Sequence, residues 1–71
     1  MKPSIRTKFG ERLRELRNRR GFTQEKLSEL AEIDYKYLQK IEGKNPPNIK
    51  LETIEKLAKT LEVKPSELLE P

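Results

Sequence analysis

The chain has 71 residues, 39% of them charged, so it is expected to form one small domain with a thin core. It has no cysteine and no histidine, which excludes disulfides, the usual zinc sites and thiol or imidazole catalysis. The net charge of +4 is uneven: residues 1–22 hold eight Lys or Arg against Glu11 and Glu15, a balance of +6, while residues 23–71 carry −2. A basic N-terminal third beside a mixed remainder suits a polyanion on one side. No apolar run approaches a membrane span, and no apolar h-region opens the chain, so a cytoplasmic protein is expected.

Met1 to Ser4 reads as a loose start, with Pro3 opposing early helix. A first helix is predicted over about residues 6–20. Ile5, Phe9, Leu13 and Leu16 form one apolar stripe, and Gly21 is placed to stop the helix. Arg17 lies at the edge of that stripe, about 40° from Leu13, where an arginine needs a partner. Glu42 is the candidate.

A second helix is predicted over about 24–31. Thr23 is a suitable N-cap. Phe22 before it and Leu27 after it have the spacing of a hydrophobic staple. Leu27, Leu30 and Ala31 supply the apolar positions, and Ser28 falls inward, where a small residue permits close helix crossing. Glu25, Glu29 and Glu32 form an acidic ridge, read as a solvated face pairing with Lys26 and Lys36. Asp34 repeats the cap, with Ile33 before it and Leu38 four residues on. Only Glu32–Ile33–Asp34 remain for the turn, which is helix-turn-helix geometry.

The third helix, about 35–42, can be read by angle. With Tyr35 at zero and about 100° per residue, Tyr37, Ile41 and Leu38 fall at roughly 200°, 240° and 300°, the buried side. Tyr35, Gln39, Lys36 and Lys40 fall at roughly 0° to 140° and face outward. That face has an amide, two ammonium groups and a phenol, and no carboxylate. Glutamine can pair with adenine in two places, and lysine can bond guanine or phosphate. Taken alone, it would equally serve as the solvated face of a bundle helix.

Gly43 to Lys50 is a loop, and its Lys44 and Asn45 sit where loop groups commonly grip phosphate. A fourth helix over about 51–61 buries Leu51, Ile54, Leu57, Ala58 and Leu61. Its N-cap is unclear, because Lys50 is a poor one. A short fifth helix over about 65–69 begins at Pro65 and closes with Leu68 and Leu69. The expected fold is an all-α bundle of five helices carrying a helix-turn-helix.

The run FGERLRELRNRRGFTQEKLSELAEIDYKYLQKIEGK, with LETIEKLAKTLEVKPSELL after the loop, resembles the phage repressor (Cro/cI, or XRE) helix-turn-helix family from about Phe9 to Leu69. The most specific parts are Thr23-Gln24-Glu25, then Ile41-Glu42, then the LETIEKLAKTLEV helix. The resemblance implies a lambda repressor-like DNA-binding domain, usually a two-fold dimer on a palindromic operator. It implies that Tyr35, Lys36, Gln39 and Lys40 face the bases. Thr23 and Gln24, opening helix 2, and Lys44 and Asn45 in the loop would hold the DNA backbone. Arg17 and Glu42 would form an internal ion pair. The chain departs from the family in three places: Glu32 stands at the usual turn glycine, Ser28 at the usual alanine, and Glu42-Gly43 are adjacent without the usual intervening residue.

The expected function is therefore a sequence-specific, duplex-DNA-binding transcriptional regulator of repressor type. Phage-type repressor, restriction–modification controller and antitoxin are not separated. The alternative is a protein-interaction or antitoxin-type partner-binding module with the same fold. Nothing supports an enzyme, a cofactor, a metal, a small-molecule site or a membrane partner. A homodimer is expected, because Leu61, Val63, Leu68 and Leu69 offer more apolar surface than one short helix can hide.

Overall fold

The computed structural model describes residues 4–70. Four α-helices follow one another: α1 Ile5–Arg19, α2 Gln24–Ala31, α3 Tyr35–Ile41 and α4 Leu51–Leu61. A 3-10 helix, Pro65–Leu69, closes the described chain. The expected loose start falls mostly on residues 1–3, outside the described residues. Ser4 is the N-cap of α1, its hydroxyl accepting from the Thr7 backbone N–H at 3.3 Å.

The starts of α2 and α3, like that of α1, have a local cause. Thr23 caps α2 through the Lys26 N–H at 3.0 Å, and Asp34 caps α3 through the Tyr37 N–H at 3.0 Å. Lys50 gives α4 no side-chain cap. The ends of α1, α2 and α4 share one device. A residue in the left-handed region (Gly21, Glu32, Glu62) turns the chain, and the next N–H reaches back five residues. Thus Phe22 donates to Arg17, Ile33 to Ser28 and Val63 to Ala58. The turn between α2 and α3 works with a glutamate because Glu32 adopts φ 57°, the conformation glycine would take freely.

Two sequence expectations change. The fifth helix is 3-10 rather than α. Pro65 has no N–H, and five residues leave room mainly for the short-range bond from the Glu67 N–H to the Lys64 carbonyl at 2.9 Å. The apolar surface also lies elsewhere. Leu61 and Leu68 are buried in the chain's own core, Val63 is half-buried, and of that group only Leu69 is exposed. Leu30, Ile5 and Leu51, all placed on buried stripes by spacing, are 45%, 67% and 80% exposed. Ile5 and Leu51 open their helices, where the core has not yet closed over the chain. Leu30 sits at the margin of the α2 stripe.

The core itself follows the remaining spacing. Phe9, Leu13 and Leu16 of α1 meet Leu27 and Ala31 of α2, Leu38 and Ile41 of α3, Leu57, Ala58 and Leu61 of α4, and Leu68. Arg12 ties the C-terminal turn to α1, its Nε donating to the Glu67 carbonyl at 2.8 Å. Gly10 is buried where α1 crosses the end of α3. A Cβ there would collide with the Ile41 carbonyl oxygen, so glycine permits the close approach.

Candidate nucleic-acid interface

Helix α3 is short, and its position is fixed from behind. Leu38 and Ile41 are fully buried and Tyr37 is half-buried, its hydroxyl donating to the Asn48 carbonyl at 3.3 Å. Tyr35, Lys36, Gln39 and Lys40 are all exposed on the opposite side. Among the described residues neither Lys36 nor Lys40 has a carboxylate within 4.0 Å, so this face keeps its positive charge unneutralised. Of the acidic ridge of α2, only Glu29 has an ion-pair partner among the described residues, Lys26 at 3.9 Å; the expected pairing with Lys36 does not form.

Glu42, the C-cap of α3, is the hub behind the face. Its carboxylate is 1% exposed and accepts two parallel bonds from Arg17: Nε to Oε2 and Nη2 to Oε1, both 2.9 Å. The third Arg17 nitrogen, Nη1, donates to the Phe22 carbonyl at 2.8 Å. Gln24 Nε2 donates to the same Oε1 at 3.1 Å. A carboxylate at a helix C-terminus opposes the helix dipole, and the planar two-point guanidinium offsets that cost. One hydrogen of the Gln24 amide is thereby committed, and the second has no protein acceptor among the described residues. Thr23 likewise accepts the cap bond and retains its hydroxyl hydrogen for another acceptor.

Sequence reasoning missed two residues of this arrangement. Arg14 Nη2 donates to the Glu42 backbone carbonyl at 2.6 Å, and its Nε lies 3.5 Å from Oε1. Gly10 is the second, through its contact with Ile41. Gly10, Arg14 and Arg17 recur at spacings of four and three, one ridge of α1, and that spacing was the available signal. Lys44 and Asn45 are exposed just beyond α3, separate from the Glu42 hub.

With this geometry in view, the chain can be placed among known proteins. It matches the helix-turn-helix domain family across residues 10–70 and belongs to it. Among solved structures it is similar to the restriction-modification controller protein C.AhdI from Aeromonas hydrophila. The identity is 43% over 89% of this chain and 94% of that one, with a TM-score of 0.83. A hypothetical transcription factor from Neisseria, NHTF, is 34% identical over 94% of this chain and 74% of its own, with a TM-score of 0.89. The wild-type form of a second restriction-modification controller protein is 27% identical over 94% of this chain and 86% of its own, with a TM-score of 0.81. No curated protein sequence matches significantly.

Proposed function

We propose that the chain is a sequence-specific, duplex-DNA-binding transcriptional regulator, acting as one helix-turn-helix domain. The observation that carries this reading is the outward face of α3, where Tyr35, Lys36, Gln39 and Lys40 are exposed and, among the described residues, neither lysine has a carboxylate within 4.0 Å. In the mechanism, α3 enters the major groove and these four side chains read base edges. Thr23, Gln24, Lys44 and Asn45 hold phosphates and set the register. The Arg17–Glu42 pair fixes the α3 end and orients Gln24.

The likeness to two restriction-modification controllers favours that role over a phage repressor or an antitoxin. A restriction enzyme encoded beside the gene would agree with it, and a toxin there would argue for the antitoxin. The regulator works in the cytoplasm as a homodimer on a palindromic operator. In support, no described helix is long and apolar enough to cross a membrane. Ile5, Leu51 and Leu69 lie exposed as surface for a second copy. Selection of bound sites from random duplex DNA tests the reading: a palindrome with half-sites about one helical turn apart is the expected product. Recovery of no preferred sequence would reject it.

A further inference from the structure

Five arginines in and directly after α1 are each within 4.0 Å of a carboxylate: Arg12, Arg14, Arg17, Arg19 and Arg20. Arg6 and Lys8 have no such partner among the described residues. Arg6 differs from Lys8 in its surroundings. It lines a notch of about 360 Å³ between the first turn of α1 and the loop after α3. The described lining residues are Ser4, Arg6, Thr7, Lys44, Asn45 and Pro46. None is a carboxylate, and Lys44 too is free of ion pairs among the described residues. Pro46 is buried, which anchors the loop wall against the fold. Two unneutralised cations, two hydroxyls and an amide thus converge from segments 37 or more positions apart in sequence.

We infer that this notch holds one backbone phosphate of the duplex, with Arg6 gripping it from α1 and Lys44 from the loop. The inference rests on the DNA-binding reading above and adds α1 to the groups that touch the DNA. A phosphodiester is the anion that fits: it is compact and singly charged, and it has free oxygens for a guanidinium, an ammonium and an amide together. The loop that follows α3 is also where a duplex backbone passes when α3 occupies the groove. Arg6 is a positioning contact; it carries no base information.

The test measures duplex affinity against salt for the wild-type chain and for Arg6→Gln, Arg6→Lys and Lys8→Gln. One phosphate contact contributes a slope of about 0.9 in log affinity against log salt, which corresponds to roughly fivefold in affinity near 0.15 M. Arg6→Gln should lose about that much on every duplex, with a slope smaller by about 1. Arg6→Lys should recover most of the loss. Lys8→Gln removes the same charge outside the notch and should leave the slope nearly unchanged. Single methylphosphonate substitutions should reveal one phosphate whose neutralisation weakens the wild type and leaves Arg6→Gln unaffected. Equal losses from Arg6→Gln and Lys8→Gln would mean diffuse charge and overturn the notch. So would an unchanged Arg6→Gln on a duplex that the wild type binds steeply. If the wild-type chain itself shows no salt-dependent duplex binding, the DNA reading falls, and the notch with it.

Discussion

The Arg17 guanidinium and the Glu42 carboxylate meet face to face through two bonds of 2.9 Å, with side chains only 11% and 1% exposed. Such a pair need not outperform an apolar substitute, since removing both charges from water is costly. Removing one partner alone strands the other. Arg17→Met or Glu42→Gln is therefore expected to cost about 3–5 kcal/mol in denaturant unfolding. The double mutant should lose clearly less than the sum. Additive losses would show that the two do not act as a unit.

Gly10 fixes the distance between α1 and the end of α3. Any side chain there presses on the Ile41 backbone carbonyl rather than on a yielding side chain. Gly10→Ala should cost about 1–3 kcal/mol, the range for overpacking, despite alanine's better helix propensity. Because α3 must move to make room, operator affinity should fall further than stability explains. A melting temperature and a Kd matching the wild type would refute the contact.

Glu32 should tolerate replacement in the opposite direction. A non-glycine residue in the left-handed region costs roughly 1–2 kcal/mol, against about 0.5–1 kcal/mol for the extra freedom glycine has when unfolded. Glu32→Gly is therefore expected to stabilise the fold by about 0.5–1 kcal/mol, a rise of several degrees in Tm for a chain of this size. A lower Tm would mean that the Glu32 side chain has a stabilising role its turn geometry does not show.

The pattern of these predictions reflects what the sequence made legible. The caps Thr23 and Asp34, the buried Leu38 and Ile41, and the helix bounds within about a residue follow from local rules. Helical spacing failed at Ile5, Leu30 and Leu51, because periodicity names a face and does not say where the neighbouring elements end. Gly10 and Arg14 were hidden for a different reason. Gly10 abuts the Ile41 carbonyl, and the short bond of Arg14 goes to the Glu42 carbonyl; every residue has a carbonyl, so only their spacing with Arg17 along α1 points to them.

The division of labour on the interface can be measured. If Gln39 pairs bidentately with a base, Gln39→Ala should relax preference at one base pair by about 1–3 kcal/mol. Lys44→Ala should weaken all duplexes alike and lower the salt slope by about 1. Equal losses on every sequence from both variants would contradict the assignment of Gln39 to base reading.

The last expectation concerns the exposed apolar residues. Ile5, Leu51 and Leu69 are 67%, 80% and 51% exposed. Ile5 and Leu69 border a hollow of about 190 Å³ whose lining includes Phe9, Ile49 and Ile54. Leu51 opens α4, the helix that carries Ile54. Leaving large aliphatic side chains in water forgoes about 1.5–3 kcal/mol each when they could be fully buried. A two-fold contact gives every such residue on one copy the same residues of the other to bury against. Leu51→Glu and Ile5→Glu should therefore shift sedimentation toward monomer with little change in thermal stability at low protein concentration, since neither residue is in the core. Operator binding should become more steeply dependent on protein concentration, because two monomers must then assemble on the DNA. A chain that sediments as a dimer with both substitutions in place would put the interface elsewhere.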